Sequence, residues 1–71
     1  MVLRNMKTKV AKLTGIDGNV FSVIGTVNKY LRRENVEKSK EYMDNVVHKG
    51  SYDEVLVYSV NMLESVGYEV Q

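Results

Sequence analysis

Leu13-Thr14-Gly15-Ile16-Asp17-Gly18-Asn19, running directly into Val20-Phe21-Ser22-Val23-Ile24-Gly25-Thr26-Val27-Asn28-Lys29-Tyr30-Leu31-Arg32-Arg33, is the stretch from which the fold is read. Gly15 and Gly18 bracket a loop. Glycine serves where φ must become positive or the backbone must turn tightly, and Asp17-Gly18 is a turn dipeptide. Asn19 falls at an N-cap position, where its side-chain oxygen meets a free N–H of the first helical turn. Behind it Val20, Phe21, Ile24, Val27 and Leu31 recur at helical spacing and predict an amphipathic helix with one buried stripe. Gly25 inside that helix costs about 1 kcal/mol against alanine, which predicts close approach by another element there.

Upstream, Thr8 to Leu13 is short, carries β-branched residues and ends at a Thr-Gly turn, the pattern of a strand. Downstream, Val36, Tyr42, Met43, Val46 and Val47 predict a second amphipathic helix over about residues 37–48, stopped by Lys49-Gly50. Ser51-Tyr52-Asp53-Glu54 is a capping box: the serine satisfies the N3 amide, Glu54 reaches back to the Ser51 amide, and two acids sit at the positive helix end. A third helix is therefore expected to about Ser65, with Val55, Leu56, Ser59, Met62, Leu63 and Val66 on its core face and Gly67 as its stop. Tyr68 to Gln71 reads as a terminal strand. Its one available partner is the first strand, which predicts a small α+β domain of order β-α-α-α-β with paired ends, parallel or antiparallel.

A chain of 71 residues makes a single domain with a small core, residues 1–6 reading as a loose N-terminal extension. The core is small enough that a homodimer or a partner complex is a natural way to supplement it. Without cysteine there is no disulfide scaffold, thiolate zinc site or cysteine nucleophile. No apolar run reaches membrane-span length and the N-terminus lacks a signal-peptide block, so the expectation is a cytoplasmic protein without a membrane partner.

Charge is distributed unevenly. Residues 1–33 hold seven of the ten basic residues and only Asp17 among the acids, a balance of +6; residues 34–71 balance at −5. Such asymmetry accompanies nucleic-acid contact or electrostatically steered protein pairing. The bland account is that Lys29, Arg32 and Arg33 complement the negative end of the first helix, while Glu37, Glu41 and Asp44 face those cations or water.

Catalytic and cofactor patterns do not assemble. A P-loop requires Gly, four residues, then Gly-Lys-Ser/Thr, and the loop here has no such lysine; the dinucleotide fingerprint fails on glycine spacing and on length. Gly15-x-x-Gly18 shares its spacing with the backbone-binding loop of KH domains, but that loop joins two helices, and Asp17 would set a negative charge against phosphate. Asp17 and Asn19 lack the remaining ligands of a calcium loop. His48, the lone histidine, reads as a helix-end residue. The pairs Glu41/Asp44 and Asp53/Glu54 lie on charged helical faces with no apolar pocket to raise a pKa. No enzyme, cofactor or metal is expected. The most specific small-ligand candidate is the loop of Gly15, Asp17, Gly18 and Asn19, where amides at a helix N-terminus receive an anion.

An interaction surface is better motivated. The third helix carries more apolar residues than one stripe requires: Val57, Tyr58 and Val60 extend the band around it, so the helix is either sandwiched or part of an interface. Tyr30, Tyr42, Tyr52, Tyr58 and Tyr68 supply the amphipathic rings that interfaces favour.

The pattern Leu13-Thr14-Gly15-x-Asp17-Gly18-Asn19-x-Phe21, with Ile24-Gly25, Val27, Leu31-Arg32-Arg33 and Gly50-x-Tyr52-Asp53, resembles a group of small uncharacterised bacterial and prophage proteins. The resemblance implies a compact stand-alone domain of phage or mobile-element type and points to no particular activity, none being assigned to the group. The sequence-level expectation is thus a non-enzymatic protein-binding or accessory module, acting on a protein partner or on itself as a homodimer. The alternative is nucleic-acid binding through Arg4, Lys7, Lys9, Lys12, Lys29, Arg32 and Arg33.

Overall fold

The structure is a computed structural model and describes residues 9–15 and 18–71. Thr8 at the head of the expected first strand, and Asp17 in the loop, lie outside the described residues, as do Arg4 and Lys7. Five elements follow in the expected order: β1 (Lys9–Ala11), α1 (Val20–Glu34), α2 (Val36–Val46), α3 (Tyr52–Ser65) and β2 (Tyr68–Val70).

The two strands pair in parallel, Lys9 opposite Tyr68, Val10 opposite Glu69 and Ala11 opposite Val70. Parallel neighbours need a long crossover, and here the three helices together supply it. The ladder continues past the strands: the Gln71 N–H donates to Ala11 O at 2.9 Å, and Gln71 O accepts from the N–H groups of Leu13 and Thr14.

Asn19 caps α1 as expected, its Oδ1 accepting from the Phe21 N–H at 2.7 Å. The buried stripe is rotated from the one expected. Val23, Val27 and Leu31 are buried and Val20 and Ile24 partly so, whereas Phe21 is 78% exposed. Phe21 lies about 120° around the helix from Val27, off the i, i+4, i+8 ridge that faces the core. The close approach expected at Gly25 is also overturned: a Cβ built there meets nothing within 4 Å.

One residue, Asn35, separates α1 from α2 and serves both. Its N–H closes α1 on Leu31 O at 2.8 Å, while its side-chain Oδ1 accepts from the N–H groups of Glu37 and Lys38, capping α2. α2 buries Ser39, Tyr42 and Val46, and leaves Val36, Met43 and Val47 exposed, contrary to their expected place on the core face. Ser39 is buried on that face, its hydroxyl donating to Asn28 Oδ1 across the α1–α2 contact.

At the start of α3, Ser51 Oγ accepts from the Glu54 N–H at 3.2 Å, but Glu54 returns its carboxylate to the N–H of Gly50 rather than that of Ser51. Gly67 terminates α3 at φ +95°, in the left-handed region where glycine carries no Cβ penalty. The core draws on all five elements: Ala11 from β1, Val23, Val27 and Leu31 from α1, Tyr42 and Val46 from α2, Val55, Met62 and Leu63 from α3, and Tyr68 from β2.

Candidate interaction surfaces

Titratable groups displaced from their ordinary values serve the fold. Glu34 is held below the usual carboxylate range, first by the hydrogen bond from Lys9 and then by that from the Tyr68 hydroxyl. Burial raises the phenols of Tyr42, Tyr58 and Tyr68. Among the described residues no three His, Cys, Asp or Glu side chains gather to hold a metal ion. No helix of the described residues is long and apolar enough to cross a membrane.

At the glycine loop, Gly15 adopts φ +85° and Gly18 lies outside the left-handed region. The Phe21 amide, a donor that an anion at the α1 N-terminus would use, is taken by Asn19. Asp17 of that loop falls outside the described residues.

The apolar band on α3 divides. Residues two apart on a helix are separated by about 200°, so Tyr58 and Val60 fall on opposite flanks of the helix. Both are partly buried. Tyr58 stacks on the buried Tyr42 ring, centroids 5.6 Å apart and planes 11° apart, with the Lys49 ammonium 4.5 Å above its own ring. Tyr42 in turn hydrogen-bonds Ser59 at 2.7 Å. Much of the band is therefore consumed by packing, since α3 touches α1, α2 and β2. Val57 is different. It is 61% exposed and lies in an open groove of about 400 Å³ lined by Lys49, Asp53, Glu54, Val57, Tyr58 and Asn61. This face of α3 points away from its buried residues Val55, Ser59, Met62 and Leu63.

The tyrosines sort similarly. Tyr42 and Tyr68 are buried, Tyr30 and Tyr58 are partly buried, and Tyr52 is exposed. Tyr30 and Tyr68 meet edge to face with centroids 5.2 Å apart.

The basic residues separate into two groups that sequence alone placed together. Lys9 is engaged: its ammonium donates to Glu34 Oε1 and to Val66 O, each at 2.7 Å, and stands 5.1 Å from the Tyr68 ring centroid. Lys12 is exposed beyond the end of β1. Lys29, Arg32 and Arg33 occupy the outward face of α1, and among the described residues no carboxylate approaches them within 4 Å. Among the described residues the ion pairs are Lys9–Glu34 and the within-helix Lys38–Glu41, so Glu37, Glu41 and Asp44 form none with the α1 cations. Arg33 lies over the Tyr30 ring at 5.6 Å.

Sequence reasoning missed Gly25, Thr26 and Asn28 as parts of this basic face, along with Lys40 from α2, which lines the α1–α2 groove beside Arg32. The available signal was positional: Gly25 shares the helical phase of the cations, and Thr26 and Asn28 flank them on either side. Comparison with protein-family models, curated proteins and solved structures gave no match.

Proposed function

We propose that this chain is a small non-enzymatic protein-binding or accessory module that engages its partner through the outward face of α3. The observation that carries this reading is Val57. A β-branched aliphatic side chain 61% exposed in the middle of a helix gains nothing for the monomer. It stands in a groove whose rim offers both an ammonium, Lys49, and two carboxylates, Asp53 and Glu54. An apolar centre with a mixed polar rim is the anatomy of a protein-protein contact. Among the described residues the displaced pKa values fall on Glu34 and three tyrosines held in structural contacts, which lends no support to an enzyme.

The test is site-specific photo-crosslinking in the cells that make the protein, with a photoreactive amino acid at position 57 and, as control, at the exposed position 69. A discrete adduct from position 57 and none from position 69 is expected; an adduct with a second copy of the chain would identify the partner as a homodimer. Equal or absent crosslinking from both positions would overturn the assignment.

A further inference from the structure

We infer that the outward face of α1 is a second binding surface, separate from the Val57 groove, that takes the phosphate backbone of a nucleic acid through Lys29, Arg32 and Arg33. Spacings of three and four residues bring these side chains together on one face, with neighbouring Cβ atoms about 5–6 Å apart. That face stands opposite the buried Val23, Val27 and Leu31, so the cations project from a rigid, well-packed support.

Three features select phosphate. The first is that no ion pair takes up the charge. Lys9 and Lys38 each have a carboxylate within 4 Å, whereas Lys29, Arg32 and Arg33 have none among the described residues. The second is shape. Three shallow depressions of about 380, 370 and 260 Å³ adjoin the cations, one beside Gly25, whose missing side chain leaves open space above the helix. The depressions share residues: Arg32 and Asn28 line two of them, as do Lys29 and Arg33. Asp44, in the groove between α1 and α2, is the one carboxylate lining any of the three, and Lys40 lines that groove with it.

The third is chemistry. Around the cations, Thr26 and Asn28 add a hydroxyl and an amide for phosphate oxygens. Apolar side chains stand at the edges of the patch, Val36 and Met43 in the groove beside Arg32 and the exposed Phe21 one turn before Gly25, while its centre is lined by Gly25, Asn28 and the three cations. Arginine also supplies a planar fork that matches phosphate geometry. Binding through these cations is to the backbone and tolerant of sequence.

The test is fluorescence anisotropy with a labelled random-sequence duplex and a labelled random single strand, from 50 to 200 mM salt. Three phosphate contacts give a log–log salt slope of about −2.7 on duplex and about −2.1 on single strand, or losses of roughly 40-fold and roughly 20-fold over that range. The tighter arm names the source of the phosphates. Arg32→Gln should make the duplex slope shallower by about 0.9, while Lys38→Gln, equal in charge change but outside the face, should leave it in place. Circular dichroism confirms that each variant folds. Absence of binding at 50 mM, an equal effect of the two substitutions, or equally tight binding of poly-glutamate would each overturn the inference.

Discussion

Lys9 at the head of β1 and Glu34 in the last turn of α1 meet at 2.7 Å, and the Glu34 carboxylate also accepts from the Tyr68 hydroxyl at 3.0 Å. A strand of three residues is thereby fastened to the helix that follows the loop and to its own sheet partner. Both charged side chains remain partly open to solvent, so the pair acts chiefly as a geometric tie and its strength is screened by salt.

The tie sets an acid response. Because Lys9 and Tyr68 hold Glu34 below its ordinary range in the folded state, the carboxylate contributes stability above the usual glutamate pKa. That contribution is lost as pH falls through the lowered folded value. Thermal melts from pH 7 down to pH 3 should show a shallower acid-side decline in Glu34→Gln than in the parent; parallel curves would contradict it.

Tyr42 gives the opposite sign. Burial raises its phenol above the ordinary value, so its stabilising contribution is full below about pH 10 and falls as pH rises through the raised folded value. Tyr42→Phe should remove this alkaline component. At neutral pH the same substitution strands the buried Ser59 hydroxyl and costs about 1–3 kcal/mol. Adding Ser59→Ala should recover part of that loss, because neither side then holds an unpaired polar group. Urea titration of all four proteins closes the cycle.

Two glycines should behave in opposite ways. Gly25→Ala meets open space in a helix interior and should stabilise by about 1 kcal/mol. Gly67→Ala forces a Cβ onto φ +95° and within 3.3 Å of Lys9 Cε, and should destabilise by about 1–2 kcal/mol. Denaturant midpoints measured side by side decide both signs.

Asn35→Ala removes the acceptor for two amides at the start of α2 and should cost about 1 kcal/mol. The loss should fall on the α2 amides first, visible as faster hydrogen exchange at Glu37 and Lys38 than at Leu31. Uniform acceleration across all three helices would indicate a global effect instead.

The order β-α-α-α-β was legible in the sequence because its signals are local: Asn19 and Ser51 at helix starts, Gly67 at a helix stop, and periodic apolar residues between them. Each depends on neighbours within four residues, and the backbone satisfies them wherever the element sits. Which face of each helix turned inward was settled by packing. Phe21, Val36 and Met43 have the composition of core residues but stand outside the core: Phe21 lies off the ridge of Val23, Val27 and Leu31, and on α2 Ser39 is buried with a hydrogen bond to Asn28 on the facing helix. The direction of the strand pair was likewise undetermined until three helices fixed where the chain returned. The same holds for charge: the sequence counts seven basic residues before position 34, but only the fold spends Lys9 on Glu34 and leaves Lys29, Arg32 and Arg33 projecting together, since pairing depends on distance across elements and not on separation along the chain.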